Sequence, residues 1–260
     1  MIIKYNKMLA NNEVYKRDGY IVLRDFFTPL ESEAIVESAN NLFKLPDVKG
    51  RYMKYYENTS KGRILARIEK FFSEEARIMN LLKTKIMPEL ISLEETPMTL
   101  FKDKLNWKLP GGGEFKPHQD FEAYSDFPPT YYTTCALFAD ECTIENGCLE
   151  MVAGEANKGV LPNNNGCITA DLVSSYNWEP VLVGPSDLVI FNSFVPHRSG
   201  KNTSNNTRRV FYFTFNKLSE GNHYGAYFDK KRKEMPPDFE RDPNKTYNTQ
   251  NKYNLANPIN

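Results

Sequence analysis

The sequence predicts a mainly β fold with helices: a double-stranded β-helix, or jelly-roll, with an α-helical N-terminal part packed on one sheet. Three observations lead there. From about Met98 to Phe215, short runs rich in Thr, Tyr, Phe, Val and Leu are separated by Gly, Pro or Asn clusters, the pattern of many short strands. Ahead of them, two stretches carry apolar residues at helical spacing. A length of 260 residues without a clear linker suits one large domain with a filled core. The expected organisation is a single domain over 1–260, with helical support over 1–97, the β core over 98–217 and a C-terminal extension over 218–260.

The elements follow in order. Residues 13–27 read as a helical start and a short strand, Tyr20-Ile21-Val22-Leu23, punctuated by Gly19. Thr28-Pro29-Leu30-Glu31 supplies an N-cap, a proline at the first helical position and a carboxylate three residues after the cap. A helix should run from there to about Phe43, with Leu30, Ala34, Ile35, Ala39, Leu42 and Phe43 at helical spacing and one face packed on the core. The stretch 47–70 is mixed and aromatic. A second helix is expected from Ser73, with Ile78, Leu81, Leu82 and Ile86 on one side, until Pro88 interrupts it. Strands are placed near 98–109, 115–121, 131–139, 147–152, 166–170, 180–183, 187–192 and 208–216. The tail from Phe228 is polar and Asn-rich, and reads as a surface extension.

Bulk composition narrows the function. The 33 basic residues balance 33 acidic ones, which excludes the basic excess that nucleic acid or an anionic membrane would select. Neither a signal peptide nor a membrane-spanning run is read, so a cytoplasmic protein is expected. Cys135, Cys142, Cys148 and Cys167 contain no Cys-x-x-Cys and read as free thiols.

The chemistry is concentrated in two stretches, Lys116-Pro117-His118-Gln119-Asp120 and Val195-Pro196-His197-Arg198-Ser199-Gly200, the second running on to Arg208. On a strand, residues two apart share a face, so His118 and Asp120 can reach one ion, with His197 arriving from a distant strand. Two imidazoles and one carboxylate with open positions suit Fe(II) activating dioxygen, although zinc accepts the same trio. Arg208, at the start of the last strand, offers a planar fork to an acidic co-substrate and tilts the choice to iron.

These stretches, with Glu145-Asn146-Gly147, Pro185-Ser186-Asp187 and Asp18-Gly19-Tyr20, resemble the phytanoyl-CoA dioxygenase family of Fe(II)/2-oxoglutarate oxygenases, whose core is cupin-like. The resemblance implies iron on His118, Asp120 and His197, and 2-oxoglutarate held at its far carboxylate by Arg208 and Ser199. It implies no catalytic side chain beyond the metal ligands. Residues 106–120 also look like the matching part of ectoine hydroxylase, which implies that Asn106 and Phe115 touch 2-oxoglutarate and that Tyr124 borders the substrate. Ser186 stands where the family usually has glycine, which questions the turn. Asp120 stands where halogenating relatives have a small residue, which favours hydroxylation.

Residues 102–112, 53–57 and 227–238 are similar to hydroxylases of aminoethylphosphonate and its trimethylated analogue. If Asn106 faces the site, Lys102, Lys104 and Lys108 share its face. Lys102 or Lys104 is then expected to meet an anionic substrate group. Tyr52, Tyr55, Tyr56, Phe121 and Tyr124 could cage an ammonium or simply fill the core. The expected function is hydroxylation of a C–H bond in a small polar metabolite, with an aminoalkylphosphonate as the candidate, while 2-oxoglutarate and O2 become succinate and CO2. The rivals are tailoring of a natural-product or amino-acid-derived intermediate, a non-catalytic β-barrel that binds metal and a small acid, and a zinc hydrolase using Glu122 or Glu150.

Overall fold

The computed structural model describes residues 2–59, 62–247 and 253. In the first third, α1 (Ile2–Asp18) leads into β1 (Tyr20–Leu23), α2 (Pro29–Lys44), and the hairpin of β2 (Met53–Thr59) and β3 (Gly62–Glu69). The helices α3 (Ala76–Leu81) and α4 (Met87–Glu94) follow. The core adds β4 (Met98–Lys108), β5 (Phe115–His118), β6 (Tyr132–Phe138), β7 (Leu149–Met151), β8 (Asn163–Asn164), β9 (Cys167–Ile168), α5 (Ala170–Ser175), β10 (Glu179–Val181), β11 (Leu188–Asn192), β12 (His197–Ser199) and β13 (Arg208–Lys217). Helix α6 (Tyr224–Glu234) closes the described order.

Two antiparallel sheets face each other. The larger has the order β1-β11-β6-β13-β4-β3-β2 and the smaller β10-β7-β12-β5-β9-β8. Alternation along the strands divides the larger sheet. Its outer face, with Leu105, Trp107, Leu137, Ile190 and Phe211, packs on α2, α3 and α4 through Ile35, Ala39, Leu42, Ile78, Leu81 and Leu90. Its inner face, with Ala136, Phe138, Phe191 and Val210, meets Leu149, Met151 and Val181 of the smaller sheet. The jelly-roll with helices on one sheet is therefore the observed architecture.

Helix α2 begins as its sequence dictates. The Thr28 hydroxyl accepts the Glu31 amide while the Glu31 carboxylate accepts the Thr28 amide, with Pro29 at the first position, a cap worth about 1 kcal/mol. Pro88 does not interrupt the second helical stretch. A π-helical segment, Leu82–Ile86, precedes it, and the Met87 amide donates to the Leu82 carbonyl. The widened turn relieves the clash a proline ring makes with the carbonyl four residues earlier. Ser186 needs no glycine conformation, since its φ is not positive. The turn is held by Asp187, whose carboxylate accepts the amides of Gly184 and Asp25.

Two further expectations change. The stretch 47–70 holds β2 and β3, so the first third also supplies three strands to the larger sheet. Its aromatic and β-branched residues pair across a hairpin, with Tyr55 opposite Arg67. The tail after Phe228 is not all surface: Tyr227, Phe228 and Met235 are buried against Met53, Tyr55, Phe101, Tyr124 and Tyr132. Few apolar residues suffice there because the aromatic ones are large. The rest of the tail, 248–252 and 254–260, lies outside the described residues.

Asp103 ties that extension to the sheet. It accepts the Phe71 amide at 2.6 Å and the Tyr224 hydroxyl at 2.8 Å. Burial outweighs both donors and pushes its carboxyl up to about 6. A folded pKa above the unfolded one means the native state binds the proton more tightly, so this stabilisation is present below about pH 4 and is lost as pH rises through about 6. Asp103→Asn is expected to gain about 2 kcal/mol over wild type at pH 7 and nothing at pH 4. Urea midpoints across that range check it.

Candidate metal centre and active site

The ligand-bearing segments are brought together by strand pairing. Strand β5 ends on His118, and β12 starts on His197, its direct cross-strand partner. The expected strand over 115–121 stops at His118, because Asp120 opens a 3-10 turn over Asp120–Tyr124. Gln119 remains extended, at φ −113 and ψ 134, so His118 and Asp120 still point the same way. Gln119 fixes that turn. Its amide donates to the carbonyls of Gly159 and Phe194, and its oxygen accepts the Leu161 amide. His197 sits on its own short strand, β12, in the smaller sheet, whereas the 187–192 run forms β11 in the larger one.

The three side chains offer ligand atoms all within 4.8 Å of one another. Asp120 Oδ1 lies 3.7 Å from His118 Nε2 and 3.8 Å from His197 Nε2. Donors each about 2.1 Å from one ion stand no more than about 4.2 Å apart, and both separations fall inside that limit. The tautomers are set by the backbone. His118 Nδ1 contacts the Lys116 carbonyl at 2.7 Å and His197 Nδ1 the Val195 carbonyl at 3.0 Å. A carbonyl only accepts, so each Nδ1 carries the proton and each Nε2 presents a lone pair. Burial, and then His197 beside it, push His118 down to about 3. Burial alone would raise Asp120, but His197, Lys104 and His118 outweigh it and hold the carboxyl at about 2. A carboxylate and two imidazoles that turn their Nε2 atoms to one place suit a divalent cation.

Arg208 is 1% exposed, and its Nε and Nη1 have no hydrogen-bond partner among the described residues. Leaving such donors dry costs on the order of 1–3 kcal/mol each, so the site fits an anion. Asn106 Oδ1 is likewise buried without a partner. Ser199 lies two residues beyond His197 on β12, opposite Phe115. Lys108, the direct neighbour of Arg208 across β4 and β13, donates to Ser199 Oγ at 2.7 Å. Behind it Gly147, at φ +72, has no room for a side chain, since a Cβ would stand 2.3 Å from the Gly200 carbonyl oxygen.

Lys102, Lys104, Asn106 and Lys108 do share one face of β4, and it is the inner one. Lys104 lines a cavity of about 30 Å³ with Asn106, Phe115, the three ligands, Ser199 and Tyr212. Lys102 is 7% exposed, its Nζ 3.4 Å from the Tyr124 hydroxyl and 5.0 and 5.6 Å from the Tyr124 and Tyr227 ring centres. Burial pushes this lysine down. The apolar partner face divides: Leu105 and Trp107 meet the helices, while the register shift between Thr214 and Phe215 turns Phe101 inward.

The aromatic residues separate too. Tyr124 and Tyr55 are buried on the inner side, and Phe121 packs at a tilt on Phe194 with centroids 4.6 Å apart. Tyr52 and Tyr56 pack instead on the helical side. Tyr55 lies under the chain's own cations, Arg67 at 4.7 Å and Lys231 at 5.3 Å, so no empty ammonium cage forms around it. Arg67, Glu69 and Lys231 were not foreseen. Arg67 Nε lies 3.1 Å from Glu69 Oε1, and Lys231 Nζ lies 2.5 Å from Glu69 Oε2. Burial alone would raise Glu69, but Lys231 and Arg67 hold it at about 2. Their one sequence signal is the Arg63–Glu69 run, where charged residues interrupt Ile64, Leu65 and Ile68. Neither Glu122 nor Glu150, the bases named for a zinc hydrolase, lines the cavity at the three candidate ligands; Glu150 pairs with Arg198 at 2.8 Å and Glu122 accepts from Asn163.

Two imidazoles and one carboxylate within reach of one ion, beside a buried guanidinium with two unpartnered nitrogens, form the donor set that suits a non-haem iron oxygenase with an acidic co-substrate. The phytanoyl-CoA dioxygenase (PhyH) profile matches residues 15–210, and the chain belongs to that family. It is an Fe(II)/2-oxoglutarate-dependent dioxygenase. The chain is 36% identical over 250 residues to the 2-aminoethylphosphonate dioxygenase of uncultured bacterium HF130_AEPn_1, covering 94% of this chain and 95% of that one. It is 34% identical over 232 residues to the methylphosphonate hydroxylase of Gimesia maris, covering 88% of each. Among solved structures, the epimerase SnoN in complex with Fe3+, alpha ketoglutarate and nogalamycin RO has a TM-score of 0.70 at 16% identity, covering 94% of this chain and 95% of that one. EctD from S. alaskensis, with 2-oxoglutarate and 5-hydroxyectoine, has a TM-score of 0.69 at 18% identity, covering 81% and 76%. At these identities the structures speak for the fold. Among the described residues, no helix is long and apolar enough to cross a membrane.

Proposed function

We propose that the protein hydroxylates a C–H bond of a small alkylphosphonate. His118, Asp120 and His197 would hold iron, and Arg208 with Ser199 the far carboxylate of 2-oxoglutarate, bordered by Asn106 and Phe115. Iron held there supplies dioxygen activation coupled to conversion of 2-oxoglutarate to succinate and CO2. The chain's own residues bind, orient and exclude water. Lys102 and Lys104 would take the phosphonate oxygens, which places the target carbon toward the ligands. Tyr124, Phe121 and Tyr55 form the surrounding wall.

The observation that carries this reading is the pair of lysines on the ligand-facing side of β4, Lys102 buried and Lys104 half-buried at the cavity that the three candidate ligands line. Desolvated ammonium groups call for an anion, and a phosphonate offers three acceptor oxygens and up to two negative charges. The relatives named for aminoethylphosphonate and methylphosphonate support the same class. Glu69 is engaged by Arg67 and Lys231, so the substrate's anionic end is the part these residues read.

The test is reconstitution with Fe(II), 2-oxoglutarate and dioxygen, using methylphosphonate, 2-aminoethylphosphonate and carboxylate analogues of each. Succinate formed in step with a phosphonate product about 16 mass units heavier, one oxygen atom, is the expected result. Equal turnover of the carboxylate analogues, or none of any phosphonate, would overturn it.

A further inference from the structure

The co-substrate site contains a group to which neither the resemblance nor the relatives give a role. Lys108 stands directly opposite Arg208 in the β4–β13 ladder and is 4% exposed. Two cations facing each other across a ladder repel. Burial first, and then Arg208, push Lys108 down to about 6, against weaker support from Glu57. An ordinary structural lysine would be paired with a carboxylate. This one donates to Ser199 Oγ at 2.7 Å and to the Gly200 carbonyl at 2.5 Å, with its Nζ 5.2 Å from the Phe115 ring centre.

From that contact we infer that Lys108 is a positioning residue for the co-substrate: by donating into the Ser199 oxygen it forces the serine proton toward the carboxylate that Arg208 holds. In its charged form, which the bound carboxylate favours, Lys108 has donors and no acceptor, so the serine cannot return its proton to it. The hydroxyl must aim elsewhere, and Arg208, with unpartnered Nε and Nη1, draws the acceptor it needs. A carboxylate there also offsets the repulsion from Arg208 and restores the charged form of Lys108. The three groups then act as one donor set: Arg208 supplies charge, Ser199 direction, and Lys108 fixes the direction of Ser199.

The inference rests on the proposed co-substrate site, and the test separates the two. Anaerobic calorimetry of Fe(II)-loaded protein reads 2-oxoglutarate binding directly, without turnover. Arg208→Ala is expected to weaken binding by more than about tenfold. Lys108→Met is expected to weaken it about tenfold in the wild-type background and less than about twofold in a Ser199→Ala background, because its effect runs through that hydroxyl. Should the methionine variant not fold, Lys108→Gln carries the same cycle. Equal losses in both backgrounds, or no loss with Ser199 intact, would overturn the role of Lys108 while leaving the site in place. Unchanged binding by Arg208→Ala would overturn the site itself and the Lys108 assignment with it.

Discussion

Asp120→Ala is expected to abolish iron binding and to lower turnover by about a thousandfold or more, about 4 kcal/mol. Asp120 is the anionic member of the trio, and its carboxyl is held at about 2. Without it, two imidazoles remain, and Lys104, which lines the same cavity and is pushed down by burial, supplies no anion in its place. A divalent ion would then lose the one anionic ligand of the trio. The fold should survive, because the turn that places Asp120 is held by Gln119 and by the Phe121 amide donating to the Ser193 carbonyl. Anaerobic Fe(II) titration and succinate formation check the two effects together. An Asp120→Ala protein that binds iron and turns over normally would remove the metal assignment.

The candidate ligands could be picked out of the sequence because metal chemistry restricts residue types and strand geometry restricts spacing, and the structure brings the three together. His118 and Asp120 stand two apart on extended backbone, and that relation survives the end of the strand at His118 because Gln119 stays extended. The cross-strand pairing of His197 with His118 has no local signature, since it depends on β11 and β12 joining different sheets. The lysine row on β4 was readable for the same reason of alternation. Its setting was not, because the neighbours come from β3 and α6, in stretches whose periodicity is too mixed to declare an element. Arg67 and Glu69 read as ordinary strand charges until β3 is seen beside β4, with Arg67 opposite Asn106 and Glu69 opposite Lys104. Lys231 looks like one of several surface cations on a polar helix, yet Glu69 and three tyrosines enclose it. Buried charge is where local reading fails, since its stability depends on partners distant in sequence.

That inner face also orders the recognition tasks along one strand. Lys108 lies beside Arg208 and Ser199, at the end assigned to 2-oxoglutarate. Lys104 lies at the ligands, and Lys102, further along β4, lies among Tyr124 and Tyr227. Substitutions at the two ends should therefore separate co-substrate binding from substrate binding, although all three lysines belong to one strand.

Lys102→Met tests that separation. It is expected to lower kcat/KM for the phosphonate about a hundredfold, about 3 kcal/mol, while 2-oxoglutarate and iron affinities stay within about twofold. The magnitude follows from a charge-assisted contact in a dry pocket, where the phosphonate would lose a partner it cannot replace with water. Methionine keeps the length and apolar stem of lysine, so Tyr124 and Tyr227 retain their packing. The substrate-free protein should become about 1 kcal/mol more stable, because the variant no longer buries an ammonium that burial already disfavours. Steady-state kinetics with phosphonate and with 2-oxoglutarate varied in turn, alongside urea unfolding, read all three effects. A variant with unchanged phosphonate kinetics would place the anion away from Lys102. A loss confined to 2-oxoglutarate would move this lysine to the other end of the site.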